Sequence, residues 1–451
     1  MKGWAYNFLN DLFKSLSEKN EKVVLMRSYD WLADKPIGDI DLLVSPKDVT
    51  RVKTSIDSFT HAKGWTKIFE DKDANHTHLV YVNTTGEELQ SAHIDLQTSL
   101  GRKGFTYATT ESVMQNPDKV DDILQQNEPA STLSLALHVL LDKDEVKDSY
   151  REIILSADQD TLRAALERAL NTDSAKLIIK WVEEDFPQKD APQLKRIVRS
   201  ALSRKHPANT VYPWIHKLLR VARYFYKNNG VMIAALGPDG AGKSSVVESV
   251  ENQLKFGAFP VASVYMGKRE TYLPTSKLIR YYYNLKNKKS HDGNEDPVPH
   301  ELKPNKDQNK KKRLASRIKE ILGLTNWFIE QWARYLIEIR PTLQQGGVVL
   351  CDRYIYDLAD RSKNSVVYSK SFASFLTHFY PTPDITYFYW EEPEVLFERK
   401  RENTIERSAF LINNYRAILS NIPNTEEIRT NIDVETISHG VIKSIVTKME
   451  V

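Results

Sequence analysis

Residues 231–250 read VMIAALGPDGAGKSSVVESV, and this stretch decides the fold of the second half of the chain. An apolar run, Val231 to Leu236, is followed by a glycine-rich turn and then by a segment whose apolar residues recur at helical spacing. A buried strand, a tight turn and a helix in this order are typical of the first unit of a parallel, doubly wound sheet. We therefore expect an α/β domain built on such a sheet over residues 230–451.

The turn matches the pattern G-x-x-x-x-G-K-[ST] from Gly237 to Ser244. Glycines let the backbone curl so that successive N–H groups point at phosphate oxygens, and the following helix presents its positive end to the same anion. Lys243 is then expected to reach the β- and γ-phosphates of ATP, and the Ser244 hydroxyl to ligate Mg²⁺. The predicted nucleotide-binding residues are Gly237, Asp239, Gly240, Ala241, Gly242, Lys243, Ser244 and Ser245.

A second polar group, Asp352 and Arg353, directly follows the apolar run VVLC. Ligands of open α/β sheets bind at the carboxyl ends of the strands, which is where this pair is expected. Asp352 could organise the Mg²⁺ shell, and Arg353 could form a forked pair with an acceptor phosphate. An ordinary surface ion pair is the alternative. We predict that both residues act in catalysis together with Lys243.

Five segments occur in the order seen in one kinase family: Pro238–Ser244, Pro341–Gly346, Asp352–Tyr354, Pro383–Glu394 and Glu398–Arg399. Together they resemble the thymidylate kinase family over residues 231–449. The resemblance implies ATP as phosphoryl donor, Mg²⁺ as cofactor and a small, already phosphorylated acceptor. It also implies basic lid residues that neutralise the transferring phosphoryl group. Arg399, Lys400 and Arg401 are the candidates, although three basic residues on a helix are also common on a solvated face.

The acceptor side departs from the family pattern. Leu236 stands where many members have an acidic residue, and Trp390 replaces the Asp of the Leu-Asp motif. The segment after Met266 is longer and more basic than in the family. Lys268 and Arg269 could hold an anionic acceptor there, or could belong to a solvated loop. We therefore expect an acceptor other than thymidylate.

Three aspartates of the first half predict a second site. Asp39 and Asp41 are two residues apart, so on a strand both project from one face, and Asp95 lies on a later strand-like run. Clustered carboxylates hold Mg²⁺ against a nucleoside triphosphate. The pattern resembles the nucleotidyltransferase superfamily with the DNA polymerase β-like fold. The resemblance implies catalytic and metal-binding roles for the three aspartates, a phosphate contact at Ser28 and a second triphosphate as nucleotidyl donor. A non-catalytic binding relic and coincidence are the alternatives.

The organisation of the chain follows from length and pattern. At 451 residues the chain exceeds the size of a single core. Ser131 and Asp160 are the expected N-caps of two helices in its middle part. The expected regions are a nucleotidyltransferase-like mixed sheet over 1–130, a helical region over 131–229, and the kinase-like domain over 230–451 with a charged, flexible insert at 286–313.

Composition limits the partners. The net charge is only +3, so no global electrostatic footprint argues for nucleic acid. The single cysteine, Cys351, excludes a disulfide framework and is expected to be buried. The N-terminal segment has helical apolar spacing and is expected to pack on its own domain. We expect a soluble, cytoplasmic protein without a membrane partner, and the oligomeric state stays open, a homodimer included.

These observations favour a bifunctional enzyme that joins a small-molecule kinase to a Mg²⁺-dependent nucleotidyltransferase. Nucleic-acid end processing is an alternative, because Tyr281–Tyr283 precede the lysine-rich insert and could stack on bases. A nucleotide-sensing module without turnover is a third hypothesis.

Overall fold

The computed structural model describes residues 4–26, 40–73, 75–86, 89–102, 104–143, 145–226, 229–256, 259–267, 272–274, 322–323, 325–356 and 378–450. The chain forms two compact units, Met1–Lys227 and Asn228–Met449. The predicted positions Ser28, Asp39, Lys268 and Arg269, the tyrosines at 281–283 and the insert at 286–313 lie outside the described residues. Among the helices that are described, none is both long enough and apolar enough to cross a membrane.

A mixed sheet forms the centre of the first unit. Its strands are β1 (Val23–Leu25), β2 (Ile40–Val44), β3 (Thr66–Lys72), β4 (His76–Asn83), β5 (Gln90–Gln97), β8 (Asp118–Val120) and β9 (Ile123–Gln125), while β6 (Ser99–Arg102) and β7 (Phe105–Thr109) pair separately. The order is β3-β4-β5-β2-β1-β9-β8, with β2 parallel to β5 and β1 parallel to β9. Register therefore places residues of β2 directly beside residues of β5.

Short helices accompany this sheet: α1 (Trp4–Glu18), α2 (Val49–Ala62) and α3 (Thr110–Val113). The apolar side of α1, which includes Leu9, Leu12 and Leu16, is buried in the same core as β2 and β5. The prediction that the N-terminal segment packs on its own domain is thus confirmed.

A helical region follows in the same unit: α4 (Glu128–Asp142), α5 (Asp148–Ser156), α6 (Gln159–Ala169), α7 (Thr172–Glu183), α8 (Ala191–Lys205), a 3-10 turn (Pro207–Thr210) and α9 (Tyr212–Tyr226). The predicted N-caps Ser131 and Asp160 are wrong, because both lie inside helices. Asn127 caps α4 by accepting the Ala130 N–H, and Asp158 caps α6 by accepting the Thr161 N–H. A proline in the first turn, Pro129, lets α4 begin earlier, since that position needs no N–H donor.

The second unit contains a five-stranded, all-parallel sheet, as predicted. Its strands are β10 (Val231–Leu236), β11 (Val261–Tyr265), β12 (Val348–Asp352), β13 (Ile385–Trp390) and β14 (Thr425–Arg429), in the order β11-β12-β10-β13-β14. The chain therefore extends to both sides of β10, all six residues of which are buried. The carboxyl ends of all five strands share one edge, where ligands of such sheets bind.

In the described part of this unit the α-helices are α10 (Lys243–Phe256), α11 (residues 325–344), α12 (Pro393–Arg399), α13 (Ile405–Leu419) and α14 (Val434–Met449). Within α11, Tyr335–Ile339 is a π-helical segment, followed by the α-helical Arg340–Gln344. Cys351 on β12 is fully buried, as predicted, and burial raises the pKa of its thiol.

Candidate active site

The turn between β10 and α10 has the curled backbone that its glycines predict. Gly237, Gly240 and Gly242 have φ values of 145°, 86° and 74°, which side-chain-bearing residues rarely adopt. A Cβ on Gly237 would lie 2.1 Å from the carbonyl oxygen of Tyr389, so this glycine also allows β13 to approach. The turn is therefore shaped by backbone geometry and by contact with the next strand. We call residues 237–244 the phosphate loop below.

Lys243 begins α10 and folds back over the phosphate loop. Its Nζ donates hydrogen bonds to the carbonyl oxygens of Gly237 and Pro238, both at 2.8 Å, and the residue is only 6% exposed. An ammonium group thus lies against the loop at the positive end of α10. This arrangement favours an anion at the loop.

Ser244 and Asp352 meet at the carboxyl end of β12. The Ser244 hydroxyl donates to Asp352 Oδ2 at 3.3 Å, and the two residues are separated by 108 positions in sequence. Asp352 Oδ1 is buried and has no hydrogen-bond partner within the described part of the chain. A hydroxyl and a carboxylate are oxygen donors of the kind that Mg²⁺ prefers. The buried, unpartnered carboxylate oxygen therefore fits the predicted Mg²⁺ site. Ser245, the next residue of α10, is exposed.

Arg353 is directed at the phosphate loop. Its Nη2 lies 2.7 Å from Asp239 Oδ1, and both side chains are about a third exposed, at 30% and 33%. The backbone has a φ of 68°, and its N–H bonds the Ala235 carbonyl at 3.1 Å. A non-glycine residue in this region of φ is uncommon and marks a position that its surroundings dictate. The structure thus joins two predicted site residues, Asp239 and Arg353, across adjacent strands.

The three predicted lid residues make different contacts. Arg399 donates to the carbonyl and hydroxyl oxygens of Thr430, at 2.9 and 3.2 Å, and so ties α12 to the end of β14. Lys400 Nζ lies 2.9 Å from a Glu402 carboxylate oxygen. The Lys400 side chain also packs against the phosphate loop, since a Cβ added to Gly240 would lie 3.3 Å from the Cβ of Lys400. Arg401 is exposed. Of the three, only Lys400 lies against the phosphate loop, whereas Arg399 is bound to Thr430.

Two carboxylates that we did not predict follow β13. Glu391 is 2% exposed, and its Oε1 accepts from Arg429 Nε at 2.9 Å, while Glu392 contacts the same guanidinium at 3.1 Å. Burial alone would raise the pKa of Glu391, but the Glu392 backbone N–H and the Arg429 guanidinium outweigh it and lower the pKa. The guanidinium carbons of Arg416 and Arg429 lie 4.4 and 5.3 Å from the Trp390 ring centroid. Two arginine side chains therefore lie close to the Trp390 ring. In the sequence, the two consecutive glutamates after Trp390 were the feature that could have indicated this ionic cluster.

Another unpredicted pair holds the segment that follows β11. Arg334 on α11 is 1% exposed and donates to the carbonyl oxygens of Tyr265 and Gly267 at 2.6 and 3.0 Å. Glu330, one turn earlier, accepts the Leu273 N–H at 3.0 Å. These two buried charged residues therefore hold the backbone at Tyr265, Gly267 and Leu273. Their spacing of four residues on an aromatic-rich helix was the only sequence signal.

In the first unit, Asp41 and Asp95 are neighbours in register on β2 and β5. Asp41 Oδ1 accepts from Gln97 Nε2 at 2.7 Å, whereas Asp95 Oδ1 contacts His78 Nδ1 and lies 3.6 Å from His76 Nε2. Burial alone would raise the pKa of Asp95, but hydrogen bonds from the two histidines outweigh it and lower the pKa. The interaction with the Asp95 carboxylate in turn raises the pKa of His76.

The two histidines were not predicted as site residues, although their His-Thr-His spacing places both on one face of β4. Within the described ranges, which omit Asp39, no group of three or more His, Cys, Asp or Glu residues is arranged to hold a metal ion. The neighbouring His93 is buried, at 6% exposure. The structure therefore places Asp41 and Asp95 side by side, and the Asp95 carboxylate interacts with His78 and His76.

Comparison with known proteins gives one kind of match. No protein-family model matches the chain, and no curated protein matches it. Among solved structures, thymidylate kinase from Ehrlichia chaffeensis is similar over 48% of this chain and 98% of that chain, with 16% identity and a TM-score of 0.30. The strand order β11-β12-β10-β13-β14 and the parallel strand direction define the fold of the second unit.

Proposed function

We propose that the second unit is an ATP- and Mg²⁺-dependent kinase that phosphorylates a small, already phosphorylated acceptor. The observation that carries the proposal is the meeting of Ser244 and Asp352 beside the ammonium group of Lys243. A loop of backbone N–H groups, a buried lysine and two oxygen donors are the parts that triphosphate binding requires.

The roles follow from position. The phosphate loop and Lys243 would bind the triphosphate, and Ser244 with Asp352 would hold Mg²⁺, which supplies charge compensation on the phosphates when bound. Arg353 would turn from Asp239 to an anionic acceptor, because a phosphate competes well for a partly exposed guanidinium. Lys400 would steady the loop from the end of α12, and Arg399 would hold α12 against the end of β14. Phosphoryl transfer then depends on positioning and charge rather than on a covalent intermediate.

The acceptor is proposed to be a small phosphorylated metabolite other than thymidylate. In support, Trp390 and its two arginines occupy the end of β13 where the resembling family has an aspartate. Buried Arg334 and Glu330 also fix the segment after β11 by hydrogen bonds to its backbone. The nucleic-acid alternative rests on residues 281–313, which lie outside the described residues, and receives no support from the described contacts.

Lys243→Ala and Asp352→Asn test the kinase proposal. We expect each to lower acceptor-dependent ADP release by about 10²-fold or more, because each removes charge compensation of the transferring group. The matched control is Lys255→Ala on the same helix, an exposed lysine whose partner is Glu251. ADP release should be measured against a panel of phosphorylated metabolites. Equal activity of Lys243→Ala and Lys255→Ala would refute the proposal, and binding without turnover in the native protein would favour nucleotide sensing.

A second activity, Mg²⁺-dependent nucleotidyl transfer, is proposed for the first unit. Its support is the side-by-side placement of Asp41 and Asp95 on parallel strands. Asp41→Asn is expected to abolish nucleotidyl transfer from a radiolabelled triphosphate and to leave kinase turnover unchanged. Asp57→Asn on α2, outside this pair, is the control. Loss of both activities in Asp41→Asn would contradict two separate sites, and retention of nucleotidyl transfer would rule out a role for Asp41.

A further inference from the structure

Helix α9 attaches to its own unit through its polar side. Between residues 211 and 222, only Pro213 and His216 are partly buried. His216 Nε2 lies 2.6 Å from Asp73 Oδ2, and a Cβ on Gly104 would be 3.1 Å from the Tyr212 carbonyl oxygen. An ordinary amphipathic helix of a globular protein turns its apolar side to the core. In α9 that orientation is reversed.

The opposite side of α9 is apolar and exposed to solvent. Leu218 is 71% exposed and Trp214 is 67% exposed, the highest fractions among the exposed large hydrophobic residues of the described chain. At 100° per residue, the apolar side chains fall within about 160° of the helix circumference. Contiguous apolar patches of this kind mark interaction sites. The α9 apolar face consists of Val211, Trp214, Ile215, Leu218, Leu219 and Val221.

Charge identifies the partner. Lys217 borders the α9 apolar face and Arg220 lies on the opposite, polar side of the helix, and no acidic residue occurs between Asp190 and Asp239. Lys217 Nζ lies 5.7 Å from the Trp214 ring centroid, so a cation is placed at the edge of the apolar face. A second copy of the chain would bring like charges together, which disfavours self-pairing. Tryptophan and leucine on one face, with basic residues at its edge and on the polar face, are the composition of helices that lie in the surface of anionic membranes.

We propose that α9 binds the surface of an anionic lipid bilayer through its apolar face, without crossing it. The N-terminal α1 is also amphipathic, but its apolar side is buried, so it offers no comparable surface. This inference is independent of the proposed kinase activity. It gives the protein a peripheral membrane attachment that the sequence did not lead us to expect.

Vesicle flotation of the full chain tests the proposal. We expect the protein to float with vesicles of phosphatidylcholine and phosphatidylserine in equal parts, and less with phosphatidylcholine alone or at high salt. Leu218→Glu should weaken partition roughly tenfold or more, which corresponds to losing the burial of one leucine side chain. The matched control is Ile153→Glu on α5, since Ile153 is 50% exposed. No flotation of the native chain, or equal flotation of Leu218→Glu, would overturn the proposal.

A fluorescent probe distinguishes lipid from a protein occupant. Cys351 is fully buried, so a thiol-reactive, environment-sensitive dye should label Leu218→Cys at the introduced position. We expect a blue shift of the dye emission on adding the mixed vesicles, and no shift for Ile153→Cys. Emission already typical of an apolar environment without vesicles would mean that protein covers the face, and would overturn the proposal. Dependence of that emission on protein concentration would identify a second copy.

Discussion

Gly237→Ala should destabilise the second unit and disrupt its phosphate loop. Alanine at a φ of 145° costs about 1–3 kcal/mol of backbone strain. Its Cβ would also lie 2.1 Å from the Tyr389 carbonyl oxygen, which is backbone and has little freedom to move. Relieving such overpacking adds about 1–3 kcal/mol. We therefore expect the free energy of unfolding to fall by about 2–6 kcal/mol, together with a loss of Mg²⁺-dependent ATP binding.

Urea denaturation and titration calorimetry would measure the two effects. Gly440→Ala is the matched control, because Gly440 lies in α14 and a Cβ there meets nothing within 4 Å. That substitution should stabilise the unit by about 0.5–1 kcal/mol, since alanine is the better helix former. If Gly237→Ala unfolds within about 0.5 kcal/mol of the native protein and still binds ATP, the close packing of the loop against β13 is not what fixes its shape.

Two further predictions concern charges at the same sheet edge. Because the pKa of Glu391 is lowered in the folded state, its contribution to stability is present above its ordinary pKa of 4.5 and is lost as pH falls through the folded-state value. Glu391→Gln should therefore reduce the decline in unfolding free energy on acidification, and parallel declines in both proteins would contradict this. Asp239→Asn should change the free energy of unfolding by less than about 1 kcal/mol, because its pair with Arg353 is partly exposed. Because Arg353 is proposed to leave Asp239 for the acceptor, the substitution should leave kcat unchanged and lower the KM for the acceptor by up to about fivefold, since the competing pair is worth at most about 1 kcal/mol; a kcat lowered tenfold in a phosphoryl-transfer assay would argue against this role.

The parts of the fold that sequence predicts best are those whose signals are local. The strand, turn and helix between Val231 and Phe256 were predictable from the sequence, because the three elements follow each other directly. The helical region was predictable from apolar spacing, but its N-caps were not. Asn127 and Asp158 cap these helices, while Ser131 and Asp160, which are equally suitable cap residues, lie inside the first turns.

The contacts that sequence could not give depend on strand register and on distant partners. Asp95 and His78 are neighbours only because β4 and β5 pair antiparallel in one register. Glu391 and Arg429 are 38 residues apart and meet because β13 and β14 are adjacent. Patterns of residue type fix which face a side chain lies on, but they do not fix which strand lies next to it. Asp352 was predicted as a site residue, while its partner Ser244 was identified only through a separate motif.

The π-helical segment of α11 determines the direction in which the preceding side chains of this helix, Glu330 and Arg334, point. A π turn contains one residue more than an α turn, and each residue of an α-helix turns the chain by about 100°. Deleting one residue within Tyr335–Ile339 would let α11 continue as a regular helix and would rotate Glu330 and Arg334 away from the backbone groups they bind. The one additional residue of the π turn thus decides whether α11 holds the backbone at Tyr265, Gly267 and Leu273.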